Sequence, residues 1–106
     1  MGYIVVSAKY PSHIGVKVGK KYLEALQKFP LGEGPGKVVV QVAARSTKEG
    51  VRVFSVTQVT DEEFLGAWNR ITDMMALFLE VEGFEYTANI WAEASDALEL
   101  VGLKLP

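Results

Sequence analysis

Two stretches with helical periodicity are each enclosed by stretches in which apolar residues recur at every second position, and that order limits the chain to few architectures. A period-two run over residues 3–10 gives way to a helical stripe through Ile14, Val18, Tyr22, Leu26 and Phe29. Extended runs over 37–46 and 51–60 follow, separated by the turn-like Thr47, Lys48, Glu49 and Gly50. A second stripe, Phe64, Trp68, Ile71, Met75 and Phe78, is flanked by Leu65, Thr72 and Leu79 and is broad enough to lie across a sheet. A last strand over 84–92 and a short helix through Ala97, Leu98 and Val101, closing at Gly102, complete a βαββαβ order. The order predicts an α+β domain. It does not choose a reaction, because one fold hosts many unrelated functions.

Local chemistry places the boundaries. Pro11 ends the first strand, and the Ser12 hydroxyl is the expected acceptor for an unpaired amide of the first helical turn. Lys17, Lys20, Lys21, Glu24 and Lys28 form a mainly basic stripe on the far side of that helix, read here as a solvated face. Gly19 costs the helix about 1 kcal/mol relative to alanine, which is the mark of a backbone or ligand passing close by or of a tolerant surface. Residues 30–37 carry three glycines and no periodicity, so they form a loop. The run from Gly32 to Lys37 is not a Walker A motif: the glycine spacing is short, Val38 follows the lysine, and a strand comes next rather than a helix whose amides face phosphate. Thr60 and Glu63 fit a capping box for the second helix, with Val59 and Phe64 as the hydrophobic staple around it, and Gly83 is placed to end that helix.

Alternation along the strands carries the functional argument. Ile4, Val6 and Ala8 make one face of the first strand, against Tyr3, Val5, Ser7 and Lys9. In the second strand Val38, Val40, Val42 and Ala44 oppose Val39, Gln41, Ala43 and Arg45; in the last, Phe84, Tyr86, Ala88 and Ile90 oppose Glu85, Thr87, Asn89 and Trp91. Right-handed crossovers put both helices on one side of such a sheet, over the apolar sets, and leave the mixed sets uncovered. A face holding Val5, Val39 and Trp91 calls for a cover. The third strand is open in register, since Phe54 and Val56 alternate with Val53, Ser55 and Thr57.

Composition removes several function classes. With 106 residues, 49% hydrophobic, and a net charge of −2, the chain reads as one domain over 1–106, with no bulk charge that would draw it to nucleic acid. The absence of cysteine excludes disulfides, thiolate metal sites and cysteine nucleophiles, which fits a cytoplasmic protein. No apolar run is long enough to span a bilayer, and the segment from Met1 to Ser7 lacks the basic flank of a signal peptide, so a soluble protein with no membrane partner is expected. One histidine, His13, cannot furnish a zinc, iron or copper site alone. No serine sits in a nucleophile-elbow motif. Val39, Gln41, Ala43 and Arg45 lack the aromatics with which RNA-binding sheets of this order stack bases. Neither metal nor cofactor nor nucleic acid is therefore expected.

The βαββαβ order, the length, the long second helix and the half-apolar open face resemble the dimeric α/β-barrel superfamily of ferredoxin-like domains. The resemblance implies a four-stranded antiparallel sheet with two helices on one face, and sheets of two subunits paired face to face. On this chain that means a homodimer interface containing Val5, Val39, Gln41, Asn89 and Trp91. Members of the superfamily include cofactor-free monooxygenases, muconolactone isomerases, haem-degrading enzymes and regulatory ligand-binding domains, often with a pocket between helices and sheet. It also holds many small proteins of undefined chemistry, the group this chain resembles most. The haem-handling members would want a histidine on the second helix, and none occurs between Asp61 and Glu82. Tyr10 and His13 lie where the first strand meets the first helix, and Trp68 and Tyr86 have the parity to face between helices and sheet. Together they are the candidate lining of an aromatic-walled pocket, with His13 and Tyr10 as its proton-transfer and oxygen-holding groups. The expectation is a small-ligand-binding or interaction module that takes a small hydrophobic ligand. A cofactor-independent monooxygenase or isomerase acting on a small hydrophobic or aromatic substrate is the alternative.

Overall fold

Alternation along β1 (Gly2–Tyr10) sets the layout of the molecule: Ile4, Val6 and Ala8 are buried while Ser7 and Lys9 face outward, so one face of the strand is covered and the other is not. The computed structural model describes residues 2–106; Met1, the first residue of the segment read for a signal peptide, lies outside them. A 3-10 turn (Ser12–Ile14) leads into α1 (Gly15–Lys28), followed by β2 (Lys37–Thr47), β3 (Gly50–Val59), α2 (Phe64–Ala76), a second 3-10 turn (Leu77–Glu80), β4 (Glu85–Ala92) and α3 (Ala94–Glu99). The sheet has the order β2-β3-β1-β4 and every pairing is antiparallel. This is an α+β architecture with an open sheet, compatible with a ferredoxin-like fold. No helix among the described residues is long and apolar enough to cross a membrane.

The turns explain the strand ends. Thr47 Oγ1 donates to the Gly50 carbonyl at 2.7 Å and accepts from the Glu49 amide at 3.2 Å, closing the β2–β3 hairpin. Gly50 has φ +120°, and a Cβ there would stand 2.4 Å from the Tyr10 carbonyl oxygen, so only glycine fits. The reciprocal bonds of the expected capping box form, Thr60 Oγ1 accepting from the Glu63 amide at 3.2 Å and Glu63 Oε1 from the Thr60 amide at 3.1 Å, but they close the turn that leads into α2, whose N-cap is Glu63. Two expected boundaries differ. Ser12 makes no capping bond, because the 3-10 turn draws it inside the helical segment and α1 starts only at Gly15. Gly83, at φ +92°, does not end α2, which stops at Ala76; the 3-10 turn intervenes, and Gly83 turns the chain into β4.

Two apolar clusters hold the helices to one face of the sheet. Val18, Ala25, Phe78 and Val81 form the first, with Tyr10, Ile14, Tyr22 and Phe84 packed around it. Ile4, Val59 and Ala67 form the second, with Phe64, Trp68 and Ile71. Register resolves the third strand: Val53, Ser55 and Thr57 stand opposite Ala8, Val6 and Ile4 on the helix side, while Phe54 and Val56 join Ser7 and Val5 on the open side.

The expected alternation along β2 is not kept. Its register against β3 shifts between Val38 and Val40 and again between Val40 and Ala43. Each extra residue reverses the face of those that follow until the next shift restores it. Gln41, placed by simple alternation on the open face, therefore turns toward α1, and Val39 falls within the first shift without a ladder partner. Val5, Asn89 and Trp91 do share the open face: Val5 pairs with Asn89 across the β1–β4 ladder and Tyr3 pairs with Trp91.

Candidate functional site

The shifted strand opens a groove. Ala67 of α2 packs on Ile4 of β1 and Val59 of β3, while β2 stays uncovered enough that Val38, Val39 and Val42 remain exposed at 47%, 51% and 45%. Between β2, α1, α2 and the loop of residues 30–36 lies a cavity of about 620 Å³. A second cavity of about 230 Å³ continues toward Tyr10, Val18 and Phe84. The two share Val6, Tyr22, Gln41, Ser55, Met74 and Met75, so they are two compartments of one groove. At their junction the Gln41 amide donates to the Tyr22 hydroxyl at 2.7 Å, joining strand to helix across the groove.

Each wall has a local cause. The stripe of α1 presents Tyr22, Leu26 and Phe29 to the sheet, and one face of α2 presents Ile71 and Met74. A different line of α2 residues, Glu63, Gly66 and Arg70, straps the glycine-rich loop in place. Glu63 Oε2 accepts from the Gly36 amide at 3.1 Å. Gly66 lies under Pro35, whose Cγ would be 3.0 Å from any Cβ there. Arg70 Nη2 donates to the Pro30 carbonyl at 2.9 Å, and its guanidinium lies 5.5 Å from the centre of the Phe29 ring. The spacing 63, 66, 70 places all three on one helical face. The Gly36 and Thr60 amides and the Thr60 hydroxyl together hold the Glu63 carboxyl below its ordinary range.

The expected four-residue pocket does not assemble as one wall. His13 is exposed on the 3-10 turn and lines neither cavity. Tyr10 lines the smaller one and stacks on Phe84 at 6.1 Å, with Phe78 beyond at 4.7 Å from Phe84. Trp68 packs with Phe64 at 5.9 Å in the cluster beneath α2, and Tyr86 lies 6.5 Å from Phe84; neither borders the groove. Tyr22, Gln41, Ser55 and Arg70 supply the polar contacts instead. Tyr22 was legible as a core-stripe position. Gln41 was not, because the unbroken apolar run around it carries no period that fixes parity. Among the described residues, no group of three histidine, aspartate or glutamate side chains converges as a metal site.

These features define a small α+β protein with an open antiparallel sheet and a largely apolar groove between sheet and helices. Comparison with protein-family models and with curated proteins finds no match to this chain.

Proposed function

We propose that this chain is a ferredoxin-like domain of the dimeric α/β-barrel type that binds one small, mainly apolar ligand per subunit in the groove between helices and sheet. The observation that carries the reading is the groove: its larger compartment, about 620 Å³, falls in the range of small-molecule sites, with apolar walls and a few fixed polar groups. The strand order β4-β1-β3-β2, with both crossover helices on one face, supports the fold part of the reading. The open face supports self-association. It carries Tyr3, Val5, Phe54, Val56 and Trp91, with Trp91 61% exposed, and a second copy is the cover such a face calls for. Binding is favoured over turnover because His13, the candidate for proton transfer, stands outside the groove.

The test is a panel of hydrophobic phenols, lactones and quinols, followed by amide NMR shifts on the parent and on Ser55→Phe. Ser55 borders both compartments, so the ring fills the groove without touching the open face. Saturable shifts around Tyr22 and Met74 that Ser55→Phe abolishes are expected. A panel that leaves the groove resonances unmoved, or binding indifferent to the filled groove, overturns the reading. Turnover of a bound compound would transfer it from binding to catalysis.

A further inference from the structure

Arg70 is an arginine held in place without an acidic partner. Phe29 stacks near its guanidinium, Pro30 accepts one of its hydrogen bonds, and Gly34 leaves so little room that a Cβ there would stand 2.6 Å from Arg70 Cδ and 2.8 Å from Nε. The loop thus immobilises a side chain that would otherwise lose conformational freedom only on meeting a ligand. Lys21, by contrast, pairs with Glu24 and Glu80, and Lys9 with Glu85. Among the described residues Arg70 has no salt bridge, and it donates one hydrogen bond although a guanidinium offers five donors. It also borders the larger compartment, together with Leu26, Ile71, Met74 and Met75.

We propose that Arg70 is the anchor for the carboxylate of an amphipathic monocarboxylic acid whose apolar tail lies in the groove. This rests on the groove being a ligand site. A planar guanidinium with free donors matches a carboxylate in two parallel hydrogen bonds, and the attraction is strongest where apolar walls exclude water. The other charged groups bordering the compartment are Lys37 and Glu33, of opposite sign. Two cations and one glutamate leave a net charge of about +1 around the compartment, which suits a singly charged head group better than a doubly charged phosphate. The walls behind it suit a flexible tail, since methionines adapt to irregular apolar shapes. The Tyr22–Gln41 pair at the junction of the compartments offers donors and acceptors to an oxygen borne on that tail.

Octanoate and 1-octanol share a tail and differ in charge, so they separate the head-group claim from the groove claim. Both are titrated below micelle formation into the full chain, following amide resonances and the Arg70 Nε–Hε resonance. The expected result is octanoate binding about tenfold or more tightly than octanol, with the Arg70 side-chain resonance moving for octanoate alone. Arg70→Gln should bring the ratio near one by weakening octanoate about tenfold more than octanol, which loses only the support that Arg70 gives the loop wall. A purely structural strap would weaken both ligands together. Equal affinities in the parent, or a ratio preserved in Arg70→Gln, overturns the carboxylate anchor and leaves the groove reading standing. Failure of both ligands overturns the anchor, and the groove reading falls with it only when the phenol, lactone and quinol panel fails too. Should Arg70→Gln not fold, Arg70→Lys with the parent side-chain resonance decides: selectivity without an Arg70 shift counts against the proposal.

Discussion

Glu63 does more than close a capping box. One oxygen completes the reciprocal bonds with Thr60 while the other accepts the Gly36 amide, so a single carboxylate joins the start of α2 to the loop that walls the groove. These donors favour the charged form and depress its folded pKa. Its contribution to stability is therefore present above the ordinary carboxylate range and is lost as pH falls through the depressed value. Urea unfolding of the parent and of Glu63→Gln should differ at pH 7, with the parent more stable, and converge in strong acid, where a protonated glutamate resembles glutamine. A difference that persists unchanged into acid would show that charge is not the cause. Thr60→Ala should lose up to about 1 kcal/mol, because the Glu63 amide loses one of its two acceptors and the Glu63 carboxylate loses a hydroxyl donor while little apolar area changes. Overlaid unfolding curves would remove Thr60 from the cap. Two of the most buried residues are small: Ala25 is 0% exposed and Ala67 is 1% exposed, one in each apolar cluster. Neither stood out in the stripes of larger apolar residues, since alanine carries a weak hydrophobic signal and owes its place to backbone proximity.

At the scale of elements, α1 contains a glycine with no structural need. Gly19 has an ordinary helical backbone, and a Cβ built there meets nothing within 4 Å, so neither a backbone nor a packed side chain requires it. Gly19→Ala should raise stability by about 0.5–1 kcal/mol, the difference in helix propensity, as read by thermal or urea unfolding. No gain would mean that the residue's position on the wall of the smaller compartment carries a cost that free-space geometry misses. Gly102 contrasts with it. At φ +76° it closes α3, with its own amide bonded to the Glu99 carbonyl at 3.0 Å and the Leu103 amide bonded to Leu98 at 2.9 Å. The sequence read Gly102 as a helix end and left Gly19 open; the hydrogen bonds at Gly102 bear out the first, and the free space at Gly19 shows no packed neighbour. Element order was legible to within a residue or two at most boundaries, because amphipathic period and turn chemistry are local properties. The register of β2 was not, because its shifts are set in the pairing with β3, which no local period encodes.

At the scale of the molecule, the open face and the groove lie on opposite sides of one sheet, so they can be perturbed separately. Val5 stands on the open face between Val56 and Asn89. Val5→Asp should reduce the mass seen by light scattering from dimer to monomer at about tens of micromolar, because an unpaired carboxylate buried between two sheets costs several kcal/mol. Ligand shifts in the groove should survive. A parent that is monomeric at that concentration would defeat the pairing of copies through this face. The amino-acid order by itself determined the βαββαβ succession, the capping box, the hairpin turn and which sheet side the helices cover, since each follows from neighbours within a few residues. Only the tertiary structure decided that Gln41 meets Tyr22, that the glycine loop is strapped to α2, and that Arg70 rather than His13 borders the cavity. Those arrangements depend on register shifts and on residues up to 40 positions apart, as with Arg70 and Pro30, where no local period carries the information.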